Sequence, residues 1–76
     1  MDLQKKIYNF ILDFWKLIKK YTPRPKQSEQ KVWNELTNEA EKLIQKHNDG
    51  SPEWVMFKKM MVVWLDYTGG KYDKET

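Results

Sequence analysis

Few side chains in this sequence have the types and spacing needed for acid–base or metal chemistry. The chain has no cysteine, and its single histidine, His47, falls in the last turn of a predicted helix, where it suits the helix dipole. Glu35 and Glu39 are spaced as neighbours on a solvated helix face, and they do not cluster with His47 as a metal site requires. No serine has histidine and carboxylate partners in a triad pattern. We therefore predict no catalytic residue, no metal site and no cofactor.

Anion binding is the second chemistry that the sequence offers, through basic residues of the first predicted helix and the linker after it. Phosphate contacts need Lys or Arg, and unpaired bases stack on aromatic rings such as Trp15 and Tyr21. Only one arginine is present, and no glycine-rich turn precedes a helix. A solvated basic face is the alternative interpretation. The candidate residues for binding a nucleotide or nucleic acid are Lys16, Lys19, Lys20, Arg24 and Lys26.

Apolar residues are in excess between Trp54 and Tyr67, where eleven of them stand against three polar ones. A helix this apolar has to be covered on most sides, either as the central helix of the fold or by a partner. A second apolar ridge on the first helix either packs within the chain or contacts a partner; an anionic membrane is the less favoured surface. The candidate partner-binding residues are Trp54, Phe57, Met60, Met61 and Trp64 in the third helix, and Tyr8, Leu12 and Trp15 in the first.

Three helices are predicted to position these residues. Apolar spacings of three and four residues define the first two helices, and Pro23 and Pro25 separate them. Ser51 followed by Pro52 is a typical start for the third helix. The predicted helices span 2–21, 28–47 and 52–67.

The two short connections favour an all-α fold, an antiparallel three-helix bundle. We expect one domain over residues 1–68, and a flexible polar tail over 69–76. A domain of this size buries only about 60% of its surface, and without cysteine it has no disulfides, so association is the remaining way to compensate. The sequence thus predicts a homo-oligomer.

The longest apolar run, Met60–Leu65, is far shorter than the roughly 20 residues of a membrane span. The first residues also lack the apolar stretch and cleavage site of a secretory signal. We therefore expect a cytoplasmic protein without a membrane partner.

One resemblance bears on function. Several features follow one another along the chain: Trp33 and Leu36, the run Glu39–Leu43, a polar turn, a bulky apolar helix, and Leu65–Tyr67 before a lysine-rich tail. This pattern resembles short helical proteins encoded by prophages of gut Firmicutes. It covers roughly residues 28–74. The resemblance implies phage–host interplay, in which small non-enzymatic proteins bind and block a host factor. It implies no site residues, because such proteins mostly lack an assigned role.

The leading hypothesis is a non-enzymatic protein-binding module that self-associates through the apolar faces of helices 1 and 3 and blocks a host protein. The alternative is a nucleotide-binding or nucleic-acid-binding module that uses the basic first helix and linker.

Overall fold

Three α-helices make up most of the structure, a computed structural model that describes residues 2–75. Over that range it contains no β-strand. The chain is therefore all-helical, as the sequence predicts, and each helix begins and ends within two residues of its predicted bounds. The helices are α1 (Leu3–Lys20), α2 (Gln30–Lys46) and α3 (Pro52–Thr68), and a short 3-10 helix follows at Asp73–Glu75.

Side-chain caps fix the starts of α1 and α3. The side chains of Asp2 and Ser51 each accept a hydrogen bond from a backbone N–H of the first turn, at 3.0 and 3.2 Å. Such caps satisfy N–H groups that have no partner within the helix. α2 has no side-chain cap and begins at Gln30, two residues later than predicted. The Glu29 N–H instead bonds the Lys26 carbonyl at 2.9 Å, in a turn that precedes the helix.

The segment after α3 folds into turns and a short 3-10 helix, and the flexibility predicted for this tail stays a prediction. Gly70 has a φ of 87°, a left-handed conformation that glycine adopts without steric cost, and it turns the chain at the helix end. The 3-10 helix that follows contacts the linker, where the Arg24 guanidinium lies 2.9 Å from the Asp73 carboxylate. Thr76, the last residue of the predicted tail, lies outside the described residues.

All three helices contribute to one hydrophobic core, and its centre is aromatic. The Phe10 and Phe57 rings stack with centroids 4.0 Å apart, and the Phe14 ring meets the Trp64 ring edge-on at 5.8 Å. Pairs in such geometry add to the stabilisation that burial provides. The buried residues are Phe10, Phe14, Leu17 and Tyr21 from α1 and its C-cap, Leu36 and Ala40 from α2, and Phe57, Met61, Trp64 and Thr68 from α3.

α2 is the helix that packs closely against both of the others. The backbones approach most closely between α1 and α2 and between α2 and α3. α3 also contacts both of the other helices, because Phe57 stacks on Phe10 of α1 and the Trp54 indole bonds the Ile44 carbonyl of α2. α1 and α3 meet through aromatic side chains and through polar contacts at both ends: Lys6 Nζ lies 2.7 Å from Ser51 Oγ, and Arg24 Nη1 lies 3.0 Å from the Tyr67 carbonyl oxygen. Between these two ends the α1–α3 side is open.

Candidate functional site

An open apolar groove runs between α1 and α3, and we call it the α1–α3 groove. Its volume is about 770 Å³. Among the described residues that line it, Lys59 alone carries a charge. Contiguous apolar surface of this kind marks interaction sites in soluble proteins. The lining residues are Phe14 and Ile18 from α1 and Pro52, Val55, Met56, Lys59, Met60, Val63, Trp64 and Tyr67 from α3.

The groove exists because α3 carries two apolar rows instead of one. The core row is Phe57, Met61, Trp64 and Thr68, all buried. A second row, which we call the groove row, has the same spacing but begins one residue earlier, and it turns about 100° away from the core row around the helix axis. The core row packs against the other helices, so the groove row is left facing the space beside α1. The groove row is Met56, Met60, Val63 and Tyr67.

Exposed apolar side chains on α1 extend this surface beyond the groove. Ile11 and Trp15 precede the groove residue Ile18 by seven and three positions, which places them on the same flank of the helix. The Trp15 side chain is 53% exposed. The apolar surface therefore continues from the groove row of α3, across the groove, onto α1. We call this part the α1 flank; it consists of Tyr8, Ile11, Leu12 and Trp15.

Five of the predicted partner-binding residues contribute to this surface. Met60 and Trp64 line the groove, and Tyr8, Leu12 and Trp15 are exposed on the α1 flank. The sequence prediction omitted most of the groove row, although its spacing of four, three and four residues was present as a signal.

Three predicted partner-binding residues belong to the core. Phe57, Met61 and Trp64 are 0%, 3% and 8% exposed; Trp64 also lines the groove, whereas Phe57 and Met61 are enclosed within the chain. The physical reason is the one-residue offset between the two rows of α3. Both rows are apolar, so the sequence pattern alone does not decide which of them turns inward.

Trp54 lies away from the groove, on the side of α3 that faces α2. Its indole N–H donates to the Ile44 carbonyl at 3.0 Å, and the Lys58 ammonium lies 4.0 Å from the centre of its ring. The side chain is half-buried and its one polar atom is bonded. Trp54 therefore joins α3 to α2, and it does not line the surface that α3 shares with α1.

The predicted anion-binding residues do not form one cluster. Lys16 and Lys20 face α2, whereas the Lys19 ammonium lies over the Trp15 ring at 5.6 Å on the other flank of α1. Arg24 lies over the Tyr67 ring at 5.0 Å, near the end of the α1–α3 groove. The last of the five, Lys26, is exposed in the linker.

Lys16 and Lys20 instead join two lysines that the sequence prediction did not include, Lys42 and Lys46 of α2. Together they border a second groove, of about 370 Å³, which we call the α1–α2 groove. Charged lysines on facing helices meet only when the helices pack, so no sequence spacing signals this cluster. Its lining residues are Asp13, Lys16, Leu17, Lys20, Glu39, Lys42, Leu43 and Lys46.

Two carboxylates neutralise part of this basic groove. The Lys46 ammonium lies 2.9 Å from Asp13, and its hydrogen bond lowers the pKa of that carboxyl below the ordinary value. The Lys20 ammonium lies 2.6 Å from Glu39 and lowers the pKa of Glu39 in the same way. Within the described chain, Lys16 makes no direct ion pair. The groove is therefore positive overall but largely paired within the chain.

His47 and Tyr21 hold α1 against α2. The His47 Nε2 lies 3.0 Å from an Asp13 carboxylate oxygen, and its ring meets Phe10 edge-on at 5.3 Å. The Tyr21 hydroxyl donates to the Glu39 carboxylate. Burial, together with this bond, raises the pKa of Tyr21 to about 12. Both side chains are thus engaged in packing and hydrogen bonding between the helices.

No group of three or more His, Cys, Asp or Glu side chains between residues 2 and 75 is arranged to hold a metal ion. Over the same residues, the helices fall short of the length and apolar content that crossing a bilayer requires. No protein family, curated protein or solved structure matches the chain.

Proposed function

We propose that this chain is a small, non-enzymatic protein-binding module, and that the α1–α3 groove receives an amphipathic helix of a partner protein. The observation that carries the proposal is the apolar groove of about 770 Å³, continuous with exposed aromatic residues on the α1 flank. Apolar surface is stabilised by covering it, and helix-in-groove docking is a common way to cover a surface of this shape.

A helix suits this surface because the groove lies between two helices. α2 covers one side of the α1 and α3 pair, and a docked helix would cover the other side and make a four-helix arrangement. An antiparallel order of the helices is part of this proposal. It is supported by the pairs Lys20–Glu39 and Asp13–Lys46, which run in opposite directions along α1 and α2. Lys6 of α1 contacts the start of α3, and Arg24 of the linker contacts its end.

Self-association would use the same surface, and it stays a prediction that light scattering tests. Action by blocking a host protein also stays a prediction. It accords with the proposal because a helix held in the groove is hidden from its other partners.

The sharpest test compares two neighbouring valines of α3. Val62 and Val63 are both 54% exposed, but Val63 lines the α1–α3 groove and Val62 lies on the side toward α2. The probe is a helical peptide of about five turns, the length of α3, with one leucine stripe and glutamine elsewhere. Nuclear magnetic resonance should show backbone amide shifts concentrated in the groove row and the α1 flank.

Val63→Glu should weaken this binding by at least about tenfold, because it places a carboxylate against the leucine stripe. Val62→Glu is the matched control and should bind as the parent chain does. Equal losses in both variants, or amide shifts concentrated on α2, would contradict the proposal.

The α1–α2 groove supports a second candidate function, the binding of nucleic acid. Lys16 and Lys42 are the members of its lysine cluster without a direct ion pair in the described chain, so they are available to phosphates. If they contact phosphates, the double variant Lys16→Gln/Lys42→Gln should reduce the salt dependence of oligonucleotide binding by the equivalent of about two contacts. The control is Lys31→Gln/Lys74→Gln, which removes the same charge elsewhere. Equal behaviour of the two double variants would exclude this groove.

A further inference from the structure

We infer that the partner helix carries acidic residues on both sides of its apolar stripe. This inference rests on the proposed function and concerns the same groove. The charges that border the groove are its basis. Lys59 is the charged residue among the described lining residues, and it stands on the α3 side. Lys19 stands on the α1 side, beside the exposed Trp15 ring.

Lys59 lies beside the groove row of α3, and Lys19 lies within the α1 flank, between Tyr8 and Leu12 around the helix axis. At 100° per residue, Lys59 is turned about 40° further from the core row than Val63, and Lys19 lies about 40° beyond Trp15. A helix seated on the apolar rows would therefore have one lysine along each of its edges. Acidic residues at the two flanks of its stripe would reach them, in the way that flanking charges pair across a coiled coil.

The acidic side chains of α3 do not neutralise this border. The Glu53 carboxylate lies 3.3 Å from Lys6, at the start of the helix, and the Asp66 carboxylate lies 3.3 Å from Lys71, after its end. At the far end of the groove Arg24 lies over the Tyr67 ring, but its guanidinium is paired with the Asp73 carboxylate at 2.9 Å. Lys59 and Lys19, for which the described chain shows no ion pair, are therefore the charges that make this border basic.

The same charges argue against a second copy of this chain as the occupant. In a two-fold dimer the same patch of each copy faces its counterpart. Lys19 and Lys59 of both copies would then surround one buried apolar patch, and Asp66, the acid on the Lys59 edge of α3, is already paired with Lys71 at 3.3 Å. A partner helix with acidic flanks meets the apolar groove and the basic border together, and like charges facing each other suppress the wrong partner.

The experiment uses three peptides with the same leucine stripe and with Glu, Gln or Lys at the flanking positions. Binding is measured on the full chain by titration calorimetry at low and high salt. The Glu-flanked peptide should bind about tenfold more tightly than the Lys-flanked one, because two border pairs change from attraction to repulsion. The difference should shrink at high salt, because exposed charges are screened.

Lys59→Glu should reduce or reverse the preference for the Glu-flanked peptide. Lys58→Glu is the matched control: Lys58 lies over Trp54 on the other side of α3, so the preference should persist. Equal binding of the three peptides would overturn the inference and leave the proposed function standing. Binding of none of them would overturn both. A dimer that Val63→Glu dissociates and that no peptide displaces would identify a second copy as the occupant and overturn the inference.

Discussion

The two grooves beside α1 differ in whether their lining residues have partners within the chain. The α1–α2 groove has six charged lining residues, and its two acids already hold lysines, with Lys20 2.6 Å from Glu39 and Lys46 2.9 Å from Asp13. The α1–α3 groove is apolar apart from Lys59, over the part of the chain that the structure describes. Charges can be paired inside one chain, whereas apolar surface has to be covered. We therefore expect the charged groove to contribute to stability and the apolar groove to contribute to binding.

The largest expected effect is the difference in stability loss between a substitution in the aromatic core and one on the groove surface. Phe57→Ala should lower the free energy of unfolding by about 3 to 5 kcal/mol, because it removes a fully buried ring stacked on Phe10 and leaves a cavity. Met56→Ala, one residue earlier in the groove row, should cost less than about 1 kcal/mol. Urea denaturation of both variants measures the difference. Similar losses would show that the groove row is part of the folding core.

Acid should weaken the charged groove and leave the apolar groove unaffected. The folded-state pKa values of Asp13 and Glu39 are lowered from ordinary values of 3.8 and 4.5. Such carboxyls stabilise the fold above their unfolded pKa, and that stability is lost as the pH falls through the folded pKa. Melting temperatures should therefore hold from neutral pH to about pH 5 and fall below it.

One variant in each groove tests this acid response. Glu39→Gln should make the decline below pH 5 shallower, because it removes one of the titrating groups. Lys59→Gln, in the apolar groove, should leave the decline unchanged. A shallower decline in the lysine variant alone would contradict the comparison.

A single carboxylate of the charged groove should have an intermediate effect. Asp13→Asn weakens the bonds from Lys46 and His47, and should cost about 1 to 2 kcal/mol at neutral pH. Asp66→Asn, which removes only the exposed contact with Lys71, should cost less than about 0.5 kcal/mol. Thermal unfolding at pH 7 gives both values, and a larger loss for Asp66→Asn would contradict the assignment.

The smallest expected effect concerns the Tyr21 hydroxyl at the end of the charged groove. Its pKa is raised to about 12 by burial and by the bond to Glu39, so the folded state favours the neutral phenol. That stability is present below the ordinary pKa of 10 and is lost as the pH rises toward 12. Tyr21→Phe should cost about 1 kcal/mol at neutral pH.

Tyrosine absorbance provides the measurement for Tyr21. The parent chain should show an ionisation near pH 12, and Tyr21→Phe should lack it. If the variant retains that ionisation, a different tyrosine is responsible for it.

The sequence predicts much of the fold because helix boundaries depend on nearby residues. Ser51 and Pro52 start α3, and the linker prolines separate α1 from α2, so each boundary lies within two residues of its prediction. The ion pair between Arg24 of the linker and Asp73 of the tail joins residues far apart in the chain, and no local pattern indicates it.

The candidate site was predicted only in part, for a related reason. The apolar excess on helices 1 and 3 is visible in the sequence, and Met60 and Trp15 do lie on the exposed apolar surface. Phe57 and Met61 were assigned to the surface although they are buried. The lysines of α2 were missed because the first helix and its linker carry most of the net positive charge.

By itself the sequence determined three helices, the positions of their ends and the presence of two apolar rows on α3. These features depend on capping, on proline and on the helical repeat, all of which act over a few residues. Only the tertiary structure decided which row of α3 became the core and which lysines met across α1 and α2. The reason is that a helix apolar on most sides has no single preferred orientation, so its rotation is set by packing against Phe10, Phe14 and the other residues of distant helices.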